Sequence, residues 1–498
     1  MSLLAHWEKG IITKELAWAA VIVTAGVCIA WLPLDLAFAL VGGTALALLT
    51  LVRPEYGIYA LVFAIPFGSV RQIQISGFNV DVSEICVVLV ITSWLAAMVA
   101  RRAIVIPRLP LLLPLVVFIF VLVVSWLSAL SLAVSIKETL KWVQILLIYL
   151  FVGSTFNEKR VRNTITLILI AGVAAALLGI YQFFGRVGPE GFLWHTPVGL
   201  FMRAYGTFQQ PNPFGGYLGL IAPLAYALWL TSFSISKRSV GRLSKSVSGI
   251  WQLVTNVSIY AGVTVLLVLT ILMTWSRGAI LGFVGAFIVI NVQRSRRAAI
   301  VFLFIVLLLI GLGALQVLPE AVTQRFLDFS PFLSIPDVNT VEVNPTNFAI
   351  VQRLAHWTAA WKMFEERPWS GIGIGNYGVV YPVYAPPAWL DSMGHAHNYY
   401  LNIAAEAGLV GLLAYLGLWI IIFWRTWRAT YRLSGYALSG VGFQPTSVAL
   451  GVLGVLVALS VHNFVDNLYV HGMYLHIAIL LGCLAALLEA QRSVTLET

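Results

Sequence analysis

Two histidines stand two residues apart in the segment DSMGHAHNYYLNIAAEAGLVG, at His395 and His397, just before a long apolar run. The chain has only eight histidines. A neutral imidazole in such a place can take a proton from a hydroxyl near neutral pH; it can equally be an interfacial side chain bonded to a backbone carbonyl. Arg203, in FMRAYGTFQQPNPFGGYL, and Arg277, in TWSRGAILG, lie beside apolar runs in stretches almost without charge. A planar guanidinium suits phosphate oxygens and stays charged when partly desolvated. A pair of them can neutralise a diphosphate leaving group as its charge develops, while a histidine activates an acceptor hydroxyl. That combination is the chemistry of glycosyl transfer from a lipid diphosphate, with arginines in place of a metal ion.

Other chemistries are less well supplied. Zinc needs three or four converging ligands; His395 and His397 give two, and no metal-like spacing recruits Asp391 or His195, so no metal and no cofactor is expected. Asp81 and Glu84, in NVDVSEI, read as a helix cap. GIGIGN has the glycines of a phosphate loop but neither a preceding strand nor a clear following helix, and reads as a flexible loop. Lys137 and Lys141, one helical turn apart, can support a phosphate or snorkel to the interface. Asp466, in VHNFVDNLYVHG, is a carboxylate near the membrane that can pair with an arginine or, less simply, act as a base. Cys28, Cys86 and Cys483 are scattered through apolar runs and read as small core hydrophobes, with no disulfide framework.

The elements that must position these groups are membrane helices. Of the 498 residues 60% are apolar and 10% charged, where a soluble domain carries about a quarter charged residues. This excludes a soluble enzyme, a disordered chain and an ordinary nucleic-acid binder. About 20 apolar residues span a bilayer, and candidate runs fall near 15–32, 34–52, 56–70, 84–100, 110–130, 137–156, 162–184, 213–232, 253–274, 278–293, 298–318, 399–424, 446–462 and 468–489. The expected fold is an all-α polytopic membrane protein with about fourteen helices, or twelve to thirteen if the short third run, with Pro66, is broken or re-entrant. The first run lacks a small-residue cleavage site after it and reads as a retained span.

The basic clusters around Arg101, Lys159, Lys237, Arg294 and Arg425 each follow an even-numbered run, which places them and both termini in the cytoplasm. Ten Lys/Arg then face outward: Arg71, Lys137, Lys141, Arg186, Arg203, Arg277, Arg325, Arg353, Lys362 and Arg367. Four regions follow: N-terminal helices (1–156), central helices with the arginine motifs (157–318), a long outer loop (319–398) and C-terminal helices (399–498). A loop of that length is unusual unless functional. Leu354, Trp357, Trp361 and Phe364, spaced by three and four, predict an amphipathic helix in it, ended by Pro368 and the glycines that follow.

The sequence resembles the O-antigen ligase family, which includes O-antigen polymerases and O-linked oligosaccharyltransferases. The carrying pattern is His397–Asn398, nine residues, then Gly408 and Gly411, supported by Arg203 with GTFQQPNPFGGYL, by SRGA around Arg277 and by RLAHWTAAWKMFEERPWSGIGIGNY from Arg353. The motifs cover roughly residues 160–430. The resemblance implies an inverting, metal-independent glycosyltransferase with an undecaprenyl-diphosphate-linked glycan as donor and a lipid or glycan acceptor. It implies His397 as base, Arg203 and Arg277 on the diphosphate, and Arg353 and His395 in support, at a site facing the periplasm. The first two or three helices have no counterpart in the usual twelve. A polymerase of the same family shares this chemistry. A bicarbonate-type transporter is a weaker alternative, because the ionisable residues sit mainly at span ends.

Overall fold

The computed structural model describes residues 22–497, apart from 24, 28–29, 69–72, 76–77, 197–198, 244–246, 316, 318–336, 345–346 and 435–442. The helices in chain order are α1 (Leu34–Val52), α2 (Glu55–Phe67), α3 (Val82–Ala100), α4 (Leu112–Val124), α5 (Leu132–Thr155), α6 (Glu158–Gly185), α7 (Pro211–Gly219) and α8 (Ala222–Leu243). Then come α9 (Val247–Thr274), α10 (Arg277–Arg294), α11 (Arg296–Ala314), α12 (Phe348–Glu366), α13 (Tyr377–Tyr384), α14 (Tyr399–Arg432), α15 (Pro445–His462) and α16 (Met473–Glu497). The chain is a helical membrane protein.

Among the described residues eight helical segments are long and apolar enough to cross a membrane: Val82–Ala100, Glu158–Gly185, Pro211–Ser232, Val257–Thr274, Arg277–Arg294, Tyr399–Arg432, Pro445–His462 and Met473–Val494. Four more of the expected runs form shorter apolar helices, including Glu55–Phe67 with Pro66 in its last turn. Helix α5 carries Lys137, Glu138 and Lys141 in its first half and is not among the eight. The expected run at 15–32 lies mostly outside the described residues. Asp81 caps α3 as expected, its backbone N–H donating to the Glu84 carboxylate at 3.4 Å. Cys86 and Cys483 are buried free thiols; the side chain of Cys28 lies outside the described residues.

The all-α expectation needs one amendment. Two short antiparallel hairpins stand between helices, β1 (Ile73–Ile75) with β2 (Phe78–Val80) and β3 (Leu193–Thr196) with β4 (Gly199–Met202). The second folds the connection between α6 and α7 back on itself, pairing the LWHT and GLFM segments, and delivers the residues after Met202 to the end of α9. Ala204 N–H bonds the Met273 carbonyl there at 3.0 Å. Hydrophobic periodicity over long windows registers helices and passes over strands this short.

The packing that matters for the site joins α10 to α15 and α12 to α14. At Gly282 of α10 an added Cβ would stand 2.8 Å from the Ala458 carbonyl oxygen of α15, so the two backbones approach as small residues permit. Helix α12 forms in the expected place, where Leu354 of the expected stripe is buried and Trp357 packs beside it, but its buried face is turned toward the alanines. It buries Val351, Leu354, Ala355, Ala359 and Met363, whereas Trp361 is 53% exposed and donates to Glu365 at 2.7 Å. Small alanines allow close packing on α14, and the bulkier tryptophan is left outside.

The segment read as a flexible loop is a buried, hydrogen-bonded lock. Helix α14 breaks at Gly408, whose φ of +67° and ψ of −169° suit glycine alone. Into the break dock residues 368–373: Leu409 N–H donates to the Pro368 carbonyl (2.7 Å), Ile372 N–H to Ala405 (3.0 Å) and Gly373 N–H to Glu406 (2.8 Å). A Cβ on Gly408 would fall 2.3 Å from the Trp369 backbone, and one on Gly371 2.3 Å from the Glu406 backbone. The Gly408→Ala variant is therefore expected to lose about 1–3 kcal/mol from backbone strain alone, read as a lower melting temperature in detergent; an unchanged melt would refute the docking.

Candidate functional site

The site forms where the start of α14 meets the turn after α15. Asn398 caps α14, its side chain accepting from Leu401 N–H at 3.0 Å, and Tyr399 N–H donates to the Asn463 carbonyl at the end of α15 at 2.8 Å. That tie sets His397 opposite Asp466. His397 Nδ1 lies 3.3 Å from Asp466 Oδ1, with both side chains largely buried. His397 adopts φ +50°, a left-handed conformation uncommon for a side-chain-bearing residue. Its backbone N–H donates to His395 Nδ1 at 3.1 Å, and the two rings meet edge to face at 4.4 Å. With Nδ1–H directed at the carboxylate, Nε2 of His397 carries the lone pair. Nε2 is buried and has no hydrogen-bond partner among the described residues.

A second imidazole stands beside it. The Tyr377 hydroxyl donates to the His356 carbonyl (3.0 Å) and faces His356 Nδ1 at 3.2 Å, so Nδ1 is the donor in the second contact and Nε2 is again the bare nitrogen. His356 stacks 4.8 Å from Tyr381 and meets His397 at 5.2 Å. His356 Nε2 and the Tyr381 hydroxyl also lack partners. Buried polar atoms without partners are uncommon, and three of them share this cluster. His356 was passed over in the sequence, although it lies one helical turn after Arg353.

Next to the dyad a cavity of about 370 Å³ is lined by Arg203, Arg277, Arg353, Asn212, His462 and Asp466, among others. Arg203 follows β4; its Nε donates to the Thr274 carbonyl at 3.0 Å and its Nη2 to Asn212 Oδ1 at 3.3 Å. Arg277 opens α10, whose N-cap is Ser276. A helix start adds positive potential that favours anions. Arg353 of α12 donates from Nε to the Val465 carbonyl at 3.0 Å, one residue before Asp466. Asp466 thus belongs to both the cavity wall and the histidine pair, and three arginines line the same cavity.

The fold brings together His397, His395, Asp466, Arg203, Arg277 and Arg353, with Asn398 as a helix cap. It does not bring in Lys137, which is exposed, or Lys141, which pairs with Glu138 at 2.7 Å and donates to the Tyr469 carbonyl; neither lines the cavity. Asp466, expected to pair with an arginine, pairs first with His397. The side chain of His195, and Arg71 and Arg325, lie outside the described residues. The expectation that no third metal ligand converges is also revised: His395, His397 and Asp466 offer ligand atoms within 4.8 Å of one another.

Burial holds the His395 imidazole down at about 3, with His397 adding to the effect, and holds His356 down at about 4. Burial works to raise the Asp466 carboxyl. The hydrogen bond from His397, with Arg353 and the neighbouring imidazoles, outweighs it and holds the group well below the usual carboxylate range.

Residues 262–416, about a third of the chain, match the family described as O-antigen ligase (Wzy_C). The match takes in Arg277, Arg353, the two histidines, Asn398 and both glycines of the motif; Arg203 and Asp466 lie outside it. No curated protein matches the chain. With the apolar helices, the match supports a membrane-embedded envelope protein with a glycosyltransferase-like role and, in general terms, glycan and lipid-linked substrates.

The pH dependence of stability follows from these groups. Unfolded histidine binds a proton near 6.5, whereas folded His395 and His356 resist it down to about 3 and 4. The folded state therefore loses stability as pH falls below about 6.5, and Asp466, depressed on folding, adds to the loss at still lower pH. The melting temperature in detergent should fall between pH 7 and pH 4.5, less steeply in His395→Gln. A melting temperature that is level or rises toward acid would contradict this arrangement.

Proposed function

We propose that the protein is an inverting, metal-independent glycosyltransferase of the O-antigen ligase kind. It moves a glycan from an undecaprenyl-diphosphate carrier to a hydroxyl of a lipid or glycan acceptor, at the outer face of the cytoplasmic membrane. The observation that carries the reading is the bare Nε2 of a carboxylate-paired histidine beside a cavity holding three arginines.

In this reaction the acceptor hydroxyl hydrogen-bonds to His397 Nε2, and its oxygen attacks the anomeric carbon on the face opposite the diphosphate. The new carbon–oxygen bond forms as the bond to the diphosphate oxygen breaks, so configuration inverts. The hydroxyl proton passes to Nε2. Asp466 holds Nδ1–H, fixes the tautomer and stabilises the imidazolium that forms. Arg203, Arg277 and Arg353 meet the charge developing on the leaving diphosphate, the role a divalent cation would otherwise fill. His395 steadies the loop through its bond from the His397 N–H, and His356 with Tyr381 offers further hydrogen-bonding atoms to the incoming glycan.

The test uses purified protein in detergent with a lipid-diphosphate glycan, a lipid acceptor and EDTA throughout, with products resolved on a gel. A single glycan-bearing acceptor band is expected. His397→Ala should reduce turnover by about 10²–10⁴-fold. Asp466→Asn should lower kcat by roughly tenfold or more with KM little changed, and Arg203→Gln or Arg277→Gln should raise the donor KM and lower kcat together. A ladder on the donor lipid without acceptor would move the assignment to a polymerase. Activity lost in EDTA and restored by zinc would replace the arginine mechanism with a metal at His395, His397 and Asp466. No product with any donor would overturn the reading.

A further inference from the structure

Helix α14 carries His397 and Asn398 at its start; its far end, up to about 50 Å away at 1.5 Å per residue, borders a second cavity. This cavity has a volume of about 640 Å³. Its charged lining is Arg425, Arg428 and Arg432 from α14, with Arg492 and Glu489 from α16. Spacings of three and four put the α14 arginines on one helical face. Two of them are held against an indole: the guanidinium carbons of Arg428 and Arg425 lie 5.0 and 5.8 Å from the Trp424 ring centroid. Four guanidinium groups against one carboxylate leave a positive surplus of three within the described lining.

The same cavity also has apolar walls. Leu481, Leu484 and Leu488 of α16 and Ile422 of α14 line it, and the Tyr149 hydroxyl, which accepts the Leu111 N–H at 3.2 Å, closes part of the floor. A soluble anion would use only the arginines. A molecule with a phosphate head and an acyl chain would use both.

We propose that this cavity binds one anionic phospholipid, its phosphate among the four arginines and its acyl chain along the leucine wall. Basic pockets between membrane helices recognise such head groups, and anionic lipid is attracted over neutral lipid by charge alone. The bound lipid would bridge α14 and α16 at the end of the bundle remote from the transferase site. The inference is independent of the reading of that site.

The experiment is native mass spectrometry of the full-length protein in detergent, titrated separately with phosphatidylglycerol, with phosphatidylcholine of the same chains, and with inorganic phosphate, alongside thermal melts. One phosphatidylglycerol per protein should bind saturably and raise the melting temperature, while phosphatidylcholine and phosphate do neither. The combined Arg425→Gln, Arg428→Gln, Arg432→Gln variant should lose about tenfold or more in affinity. Arg492 is exposed, so Arg492→Gln folds and decides the matter alone if the combined variant does not; it should weaken binding about threefold or more. Equal binding of the two lipids, displacement of the lipid by phosphate, or wild-type affinity in Arg492→Gln would overturn the proposal.

Discussion

A backbone hydrogen bond from Tyr399 to Asn463 holds the site together. It fixes the first turn of α14 against the last turn of α15, and both members of the histidine–carboxylate pair lie within a few residues of it. Toward the N-terminus stand Asn398, which caps the helix, and His397, forced into a left-handed conformation by the turn that precedes the cap. Toward the C-terminus stands Asp466, three residues beyond Asn463. The imidazole and the carboxylate meet because the two helix ends are pinned. Their contact in turn keeps the carboxylate charged in a buried place, where an unpaired charge would be costly.

The connection between α12 and α13 depends on the break in α14. A continuous helix would satisfy its own backbone and leave residues 368–373 with nothing to bond. With Gly408 turned out of helical geometry, the Ala405 and Glu406 carbonyls and the Leu409 N–H become partners for the loop. The buried Glu406 carboxylate also accepts the Tyr377 N–H at 3.0 Å, which sets the start of α13. Through α13 the break reaches Tyr377 and Tyr381, and through them His356. The loop therefore supports the site through α13, and its glycines serve close backbone approach.

The distribution of charge follows from the solvent. In a bilayer, ionisable groups gather at helix ends or pair with one another. Arg203, Arg277 and Arg353 come from three separate elements, and those whose contacts are defined hold backbone carbonyls of their neighbours. Arg203 binds the end of α9, and Arg353 the residue before Asp466. Each such arginine thus has a structural partner as well as a place on the cavity wall. Lys141, by contrast, is committed to Glu138 and a carbonyl away from that wall.

What the sequence by itself determined was local. Long apolar runs specify helices whatever surrounds them, because a backbone in lipid must satisfy its own hydrogen bonds, and Asp81 with Glu84 announces a helix start by its chemistry alone. The spacing from His397 to Gly408 and Gly411 pointed to a family that matches residues 262–416. Tertiary structure decided the rest. His397 and Asp466 are 69 residues apart, and nothing in either segment encodes their contact; it arises when α14 and α15 pack. The face of α12 is legible only in part for the same reason: Leu354 is buried and Trp361 is not. Periodicity shows that a helix has an apolar side, but the partner it packs on decides whether alanines or tryptophans go inside. The glycine-rich segment looked mobile because glycine is permissive as a residue, whereas its burial depends on the break at Gly408, in a helix further along the chain.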